Sequence, residues 1–193
     1  MSWLQKLPQY WQSTHWITWV LWPVELAYRV ALMLRSQFYA LGIFKRHRVK
    51  ALVIVVGNVV AGGGGKTPLT IAIVQRLTHQ GFKVSVVSRG YGRQTSEIYV
   101  VTDKSAATEA GDEPLFIHLK CSVPVVVGSN RFEAAEHLKR QFPDTQIIVC
   151  DDGLQHLALV RDIEICVMDE RGTGNGWWLP AGPLRESWPR PVD

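Results

Sequence analysis

Residues 52–68 decide the fold of this chain, and they read Leu52-Val53-Ile54-Val55-Val56-Gly57-Asn58-Val59-Val60-Ala61-Gly62-Gly63-Gly64-Gly65-Lys66-Thr67-Pro68. Five apolar residues predict a buried strand, the glycines predict a loop, and Pro68 predicts the first turn of a helix. In such an arrangement glycine N–H groups surround an anion, a lysine adds positive charge and a threonine hydroxyl meets Mg²⁺. We therefore predict a site for ATP or GTP formed by Gly62, Gly63, Gly64, Gly65, Lys66 and Thr67.

The loop departs from the strict pattern G-x-x-x-x-G-K-[ST] at one position, because Val60 stands where the first glycine is expected. A flexible glycine-rich linker is the alternative interpretation. Linkers are not usually preceded by a β-branched strand and followed by a Lys-Thr-Pro helix start, so we favour the nucleotide site.

The composition is that of a globular protein with a basic N-terminal segment. The chain has 193 residues, 47% of them hydrophobic, and a formal net charge of +4. Residues 1–50 contain seven Lys or Arg and one acid, a net charge of +6, which leaves −2 for the remainder. Positive charge confined to one segment favours an anionic membrane surface, so we predict no nucleic-acid partner. Three widely spaced cysteines favour a reducing cytosol over a disulfide framework or a zinc site.

Residues 1–48 are predicted to be a Trp-rich amphipathic helical segment. Five of the eight tryptophans precede residue 23, and they are Trp3, Trp11, Trp16, Trp19 and Trp22. Helical spacing from residue 24 to residue 41 predicts an apolar face of Ala27, Tyr28, Ala31, Leu34, Phe38 and Leu41. The most apolar stretch is short and runs into Glu25, so no membrane-spanning segment is predicted. We expect this helix to lie in a membrane interface, and packing on the protein's own core or on a partner is the alternative.

After residue 50, predicted strands alternate with predicted helices. Strands are expected at residues 84–87, 98–101, 123–127, 147–150 and 163–168, and helices at 68–79, 113–120 and 131–141. Such alternation predicts an α/β fold, a P-loop NTPase-like, mostly parallel sheet flanked by helices, with ligands at the carboxyl ends of the strands. We assign residues 49–186 to one kinase-like domain and residues 187–193 to a tail.

Two acidic motifs are candidate sites of chemistry. Asp151 and Asp152 end an apolar strand, where a carboxylate beside a phosphate loop binds Mg²⁺, although acids at strand ends are also common turn residues. Asp112 precedes a helix with Pro114 in its first turn, so it is either a helix N-cap or the group that accepts the proton of an attacking hydroxyl. These two roles are compatible.

The remaining candidates are basic or follow the acidic pair. Arg89 lies in the glycine-containing segment after a strand and could meet phosphate. Arg131 stands at a helix start and could stabilise charge on a phosphoryl group, although a solvated arginine is common there. Gln155 and His156 follow the acidic pair, and His156 is as easily a core histidine as a participant.

Five ordered segments together resemble the tetraacyldisaccharide 4'-kinase (lipid A 4'-kinase) family. The similarity covers the chain from about residue 19 to residue 186, and the segments are residues 61–68, 88–93, 111–114, 151–156 and 179–186. The resemblance implies ATP- and Mg²⁺-dependent phosphorylation of the 4'-hydroxyl of an acylated glucosamine disaccharide 1-phosphate, a lipid A precursor. It also implies a peripheral or monotopic protein at the cytoplasmic face of the bacterial inner membrane. A membrane-associated nucleotide-binding protein, or a kinase remnant without transfer activity, is the alternative.

The resemblance also implies roles for individual residues. It puts Lys66 and Thr67 on the phosphates, Asp112 beside the attacking hydroxyl and Arg131 near the transferred phosphate. It puts Thr67, Asp151, Asp152 and Glu186 around the metal, with Arg89, Gln155 and His156 as further candidates. Family members continue past the position of Glu186 into a second α/β lobe that contributes a catalytic histidine, and we expect this chain to lack that lobe.

Overall fold

A computed structural model describes residues 7–13, 15–62, 64–190 and 192, so Trp3 and Gly63 lie outside the described residues. The elements follow one another in this order: α1 (Leu7–Tyr10), α2 (Trp16–Ala40), β1 (Leu52–Gly57), α3 (Lys66–His79), β2 (Val84–Ser88), β3 (Tyr99–Val101), α4 (Ala107–Ala110), α5 (Asp112–Cys121), β4 (Val125–Val127), α6 (Arg131–Gln141), β5 (Ile147–Asp151) and β6 (Ile163–Cys166).

The six strands form one sheet in the order β3-β4-β2-β5-β1-β6. Four of its five strand pairs are parallel, and only β3 runs antiparallel, against β4. The prediction of an α/β fold with a mostly parallel sheet flanked by helices is confirmed. Because β1 and β5 are neighbours, the residues that follow their last positions lie at the same edge of the sheet.

The centre of the sheet forms the core. Every residue of β2, β4 and β5 is buried, as is β1 after its first residue. Strands covered on both faces read as continuous apolar runs without alternation, which explains the valine-rich composition. The core cluster includes Val53, Val55, Val87, Val126, Leu138, Ile148, Cys150, Leu154 and Leu159.

Several details differ from the sequence predictions, among them the start of β4, which is at Val125 and not at residue 123. The strand expected at residues 163–168 ends at Cys166, and the one expected at 98–101 is the antiparallel edge strand β3. The short helix α4 is not predicted, because four residues are too few to show a helical period. The Glu109 carboxylate accepts a hydrogen bond from the Ala106 N–H at the start of this helix.

Helix α2 begins at Trp16, eight residues before the predicted start. Pro23 lies inside the helix, just before residue 24, where the predicted helical spacing begins. The sequence predicts no segment long and apolar enough to span a membrane, and by these two criteria alone that prediction is wrong. With a mean hydropathy of 1.4 over its most apolar part, α2 is the one described helix long and apolar enough to cross a bilayer.

The face of α2 that is covered by protein also differs from the prediction. Beside Ile17, the less exposed positions recur every three or four residues and are Thr18, Leu21, Glu25, Tyr28, Leu32, Arg35 and Tyr39. Of the predicted apolar face only Tyr28 belongs to this stripe, and the other members are exposed. The exposed surface of α2 is thus apolar, while its covered stripe includes the buried Glu25.

The chain divides into two compact units. The first, here called the N-terminal unit, comprises the described residues within 1–44, 58–64 and 167–191. The second, the sheet unit, comprises those within 45–57, 65–166 and 192–193, and it contains all six strands. The predicted boundaries at residues 48 and 186 stay a prediction.

Candidate active site

Within the sheet unit, a lysine and an acidic pair meet at the edge where β5 ends. Lys66 is the first residue of α3, and its N-cap, Gly65, has a left-handed backbone with φ +74°. The Lys66 side chain is 9% exposed, and its Nζ lies 3.6 Å from Oδ1 of Asp152. Thr67, next in the helix, is half-buried. The predicted lysine and one predicted metal ligand are therefore paired in this unit.

Asp151 lies beneath this pair with both carboxylate oxygens engaged. The residue is 1% exposed. Its Oδ1 accepts a hydrogen bond from the Thr70 hydroxyl at 3.2 Å, and its Oδ2 accepts one from the Ser88 hydroxyl at 3.3 Å. Asp151 thus ties the end of β5 to α3 and to the end of β2.

Burial, together with the neighbouring carboxylates of Glu113 and Asp152, raises the pKa of Asp151 to about 6. The Thr70 hydrogen bond and the Lys66 charge act in the opposite direction. A buried carboxylate with this pKa gains from a nearby cation, which is the electrostatic environment of a metal ligand.

Arg131 starts α6 and directs its guanidinium at backbone carbonyls. Its Nη1 donates to the carbonyls of Gly128 and Ser129 at 3.3 Å, and its Nη2 donates to the Asp152 carbonyl at 3.2 Å. The residue is 4% exposed, so it is not the solvated arginine of the alternative interpretation. Its role at the transferred phosphate stays a prediction, and its contact with Asp152 places it at the acidic pair.

Asp112 is the first residue of α5, and the N-cap is Gly111 with φ +87°. The interpretation of Asp112 as an N-cap is therefore wrong, because Asp112 is already helical and the cap position is one residue earlier. Gly111 suits that position, since its backbone conformation, with a positive φ, is one that most residues avoid. Asp112 is exposed, and its carboxylate has no hydrogen bond or ion pair within the described residues. It is free to meet a ligand, as is the exposed Arg89 after β2.

A tight turn follows the acidic pair. Asp152 has φ +50°, one of two positive values among the described non-glycine residues. The Gly153 N–H donates to the Val56 carbonyl, and a Cβ at Gly153 would lie 2.7 Å from the Cys150 sulfur. Only glycine fits there. Gln155 and His156 are half-buried in this turn.

The N-terminal unit holds the first part of the glycine loop and Glu186. The Asn58 side-chain amide donates to the Gly62 carbonyl at 3.2 Å. The Ala61 N–H donates to the Pro183 carbonyl, which ties the loop to residues 179–186 within this unit. Glu186 pairs with Arg190 at 2.7 Å.

Sequence reasoning missed one further ion pair of the N-terminal unit. Asp169 is bound by the guanidinium of Arg171, and hydrogen bonding to that guanidinium lowers the pKa of the Asp169 carboxyl. A Cβ on Gly64 would lie 3.5 Å from the Asp169 carboxylate, and one on Gly62 would lie 3.6 Å from the Arg171 guanidinium. An acid directly after an apolar run, residues 165–168, is the signal that could have found this pair.

The model of the tetraacyldisaccharide-1-P 4'-kinase family matches residues 17–192. The chain belongs to this family. The match spans five sequence segments and both compact units, so the resemblance inferred from the sequence is confirmed.

Curated relatives in this family carry the name tetraacyldisaccharide 4'-kinase. The relative from Acidovorax sp. (strain JS42) is 50% identical over 189 residues, which are 98% of this chain and 56% of the relative. The relative from Dichelobacter nodosus (strain VCS1703A) is 46% identical over 187 residues, 96% of this chain and 56% of the relative. The chain thus spans about half the length of the curated relatives it matches.

A solved structure in the family shows the same fold. It is a crystal structure of LpxK from Aquifex aeolicus in complex with ATP, 30% identical, with a TM-score of 0.81. The similarity covers 89% of this chain and 55% of that one.

Proposed function

We propose that this chain is the nucleotide-binding half of a kinase that transfers the γ-phosphate of ATP to the 4'-hydroxyl of an acylated disaccharide 1-phosphate. The observation that carries the proposal is the Lys66–Asp152 pair at the end of β5, above the buried Asp151. Membership of the family supplies the substrate class, and the ATP held by the Aquifex aeolicus relative supplies the nucleotide.

The residues present fit a Mg²⁺ ion. Magnesium prefers oxygen ligands and is usually bound by one or two carboxylates together with substrate phosphates. Asp151 and Asp152 are adjacent carboxylates, and the Thr67 hydroxyl lies one residue after Lys66. No group of three or more His, Cys, Asp or Glu placed to hold a metal occurs in the described part of the chain, so the nucleotide would complete the coordination. An ion held there by Asp151, Asp152 and the Thr67 hydroxyl would supply positive charge to the phosphates of the nucleotide. Glu186 is a further proposed ligand.

We assign separate roles in the transfer to three residues of the chain. Lys66 exchanges its contact with Asp152 for the phosphates, which places positive charge where negative charge develops. Asp112 accepts the proton of the 4'-hydroxyl. The oxygen of that hydroxyl bonds to the γ-phosphorus, and the bond between the γ-phosphorus and the β,γ-bridging oxygen breaks, which releases ADP. Arg131 holds the Asp152 backbone from α6. Arg89, Gln155 and His156 remain candidates without an assigned step.

The location proposed for the protein is the cytoplasmic face of the inner membrane, attached through α2. The family acts in lipid A synthesis, and an acylated substrate stays in the bilayer. Exposed apolar side chains along α2 support this attachment, among them Trp16, Trp19, Val20, Met33 and Leu34.

An alternative is that the 193-residue chain binds nucleotide and transfers nothing. The observation that favours it is the coverage, since 44% of the Acidovorax relative has no counterpart in the match. Incubation with γ-labelled ATP and acylated disaccharide 1-phosphate separates the two functions. Labelled lipid supports the kinase, and binding without labelled lipid supports the alternative.

Substitution of Lys66 tests nucleotide binding itself. We expect Lys66→Ala to abolish the heat of ATP·Mg²⁺ binding in calorimetry, because the buried ammonium group is the positive charge that pairs with the Asp152 carboxylate. Lys104→Ala, which removes an exposed lysine of the same unit, is the control and should bind as the unaltered chain does. Equal affinities for all three proteins would refute the proposal.

A further inference from the structure

The turn that follows the acidic pair is held by an arginine that neither the sequence motifs nor the family resemblance assigns. Arg161 Nη1 donates to the carbonyls of Leu154 at 2.9 Å and Gly153 at 3.5 Å. Its Nη2 donates to the His156 carbonyl at 3.4 Å. One guanidinium therefore contacts three carbonyls within four residues, immediately after Asp152.

Arg161 is itself fixed on the sheet. Its Nε lies 3.1 Å from Oε1 of Glu164, which is part of β6 and aligned with Val55 of β1. The two side chains are only 11% and 16% exposed. The segment around Arg161 is also attached to the sheet unit, since the Asp162 N–H donates to the Val53 carbonyl. The guanidinium thus links the turn to a rigid strand.

The position of Asp152 depends on this turn. Its backbone has φ +50°, in the left-handed region that residues with a Cβ adopt uncommonly, although aspartate tolerates it better than most. Arg131 binds the Asp152 carbonyl on one side, and Arg161 binds the carbonyls that follow. Without these donors the turn would relax toward ordinary backbone angles, and the carboxylate that faces Lys66 would move.

We propose that Arg161, anchored by Glu164, is a positioning residue that fixes the turn after Asp152 and thereby directs the Asp152 carboxylate toward the site of nucleotide-bound Mg²⁺. The metal part of this inference rests on the proposed function. The part that concerns the turn rests on the contacts alone, so the two can fail separately.

The first measurement needs no ligand. Hydrogen exchange of the Gly153 and His156 amides, which donate to the Val56 and Gly153 carbonyls, reports on the turn. We expect the hydrogen-exchange rate of these two amides to be at least tenfold higher in Arg161→Ala than in the unaltered chain. Arg48→Ala is the matched control, because it removes the neighbouring Arg48–Asp162 ion pair without touching the turn, and its exchange there should be unchanged. Equal exchange in all three proteins overturns the proposal.

The second measurement is the Mg²⁺ concentration at which ATP binding is half-maximal, taken well below the melting temperature. Loss of a group that orients a metal ligand typically weakens metal binding about 10- to 100-fold. We expect Arg161→Ala to raise this midpoint at least tenfold and to leave metal-free ATP binding unchanged, with no rescue by Arg161→Lys, whose single ammonium cannot span three carbonyls. A midpoint equal to that of Arg48→Ala contradicts the proposal, since a merely structural role would lower only the melting temperature.

The outcomes keep the inference and the proposed function apart. If the unaltered chain binds no ATP·Mg²⁺, the proposed function fails, and the exchange measurement still decides whether Arg161 holds the turn. If Arg161→Ala does not fold, Glu164→Gln takes its place, because it keeps the guanidinium and removes only its anchoring charge. Roughly threefold faster exchange of the same amides is then expected, and unchanged exchange overturns the proposal.

Discussion

At the end of β5, a residue that suits metal binding lowers the stability of the ligand-free protein. Asp151 is buried with an elevated pKa, so its ionised form costs folding free energy, which Thr70 and Lys66 offset in part and a bound cation would offset further. The sequence predicts that Asp151 and Asp152 lie at a strand end, because an apolar run stops there. It does not predict their different surroundings, since the hydroxyls that bind Asp151 come from α3 and β2.

Asp151→Asn should stabilise the protein without ligand, in a pH-dependent manner. The folded-state pKa is about 6 and the ordinary value is 3.8, so the folded state binds more protons between these values and stability falls as pH rises through them. Above pH 6 the full penalty of about 3 kcal/mol applies, and below pH 3.8 it vanishes. We therefore expect Asp151→Asn to raise the free energy of unfolding by up to about 3 kcal/mol at pH 8 and by little at pH 4.

Urea unfolding in the presence of a chelator at pH 4, 6 and 8 measures this effect. Asp144→Asn, at an exposed site of the same unit, serves as the control and should show no such trend. A variant that loses the same stability at every pH would show that the Asp151 carboxylate is not penalised by burial.

Sequence pattern predicts some elements well and others poorly, and the difference is physical. Helix α6 begins and ends where predicted, since Asn130 provides an N-cap that accepts from the Phe132 N–H and an amphipathic period follows. Helix α2 starts earlier than predicted, because the apolar spacing that predicts it begins at residue 24, whereas the helix also includes residues 16–23 with Pro23 among them. Which face of α2 is covered depends on residues distant in sequence, such as Arg185, whose carbonyl accepts from the Tyr28 hydroxyl.

The exposed apolar surface of α2 should carry membrane binding. We expect the double substitution Val20→Gln and Met33→Gln, at side chains that are 63% and 56% exposed, to lower co-sedimentation with anionic vesicles at least fivefold. Removal of apolar contact area from an interfacial helix weakens its partition into the membrane. Leu119→Gln, at a comparably exposed position in the sheet unit, should leave co-sedimentation unchanged, and equal losses in both proteins would point to general unfolding.

Extraction distinguishes attachment from spanning, which the length and composition of α2 also permit. Release of the protein by alkaline carbonate is the result expected for a helix that lies in the interface. Retention until detergent is added would contradict that orientation.

Over the whole molecule, charge is distributed unevenly, and the sequence alone establishes this. Residues 1–50 carry +6 and the remainder −2. Membrane association should therefore fall with ionic strength. We expect binding to anionic vesicles to drop severalfold between 20 and 500 mM salt and binding to neutral vesicles to be weak throughout, because added salt screens exposed charges. Salt-independent binding to both kinds of vesicle would show that apolar contact alone is responsible.

The arrangement of the sheet could not be predicted from sequence. Alternating strands and helices indicate parallel pairing, but they do not specify that β1 lies between β5 and β6 or that β3 is antiparallel. That order depends on packing between segments distant in the chain. The grouping of Lys66, Asp151 and Asp152 could be expected once a phosphate loop and an acidic strand end were recognised, whereas the role of Arg161 could not, because no local pattern marks it.

The neighbourhood of β1 and β5 has a consequence for biosynthesis. Leu52 pairs with Ile147, so the ribosome must add most of the intervening sheet unit before β1 meets this partner. At about 5–20 residues per second, the nascent apolar strand waits several seconds with its hydrogen-bonding groups unpaired. Correct folding of the newly made chain should therefore depend on chaperones that cover residues 52–56 until the partner strand has been synthesised.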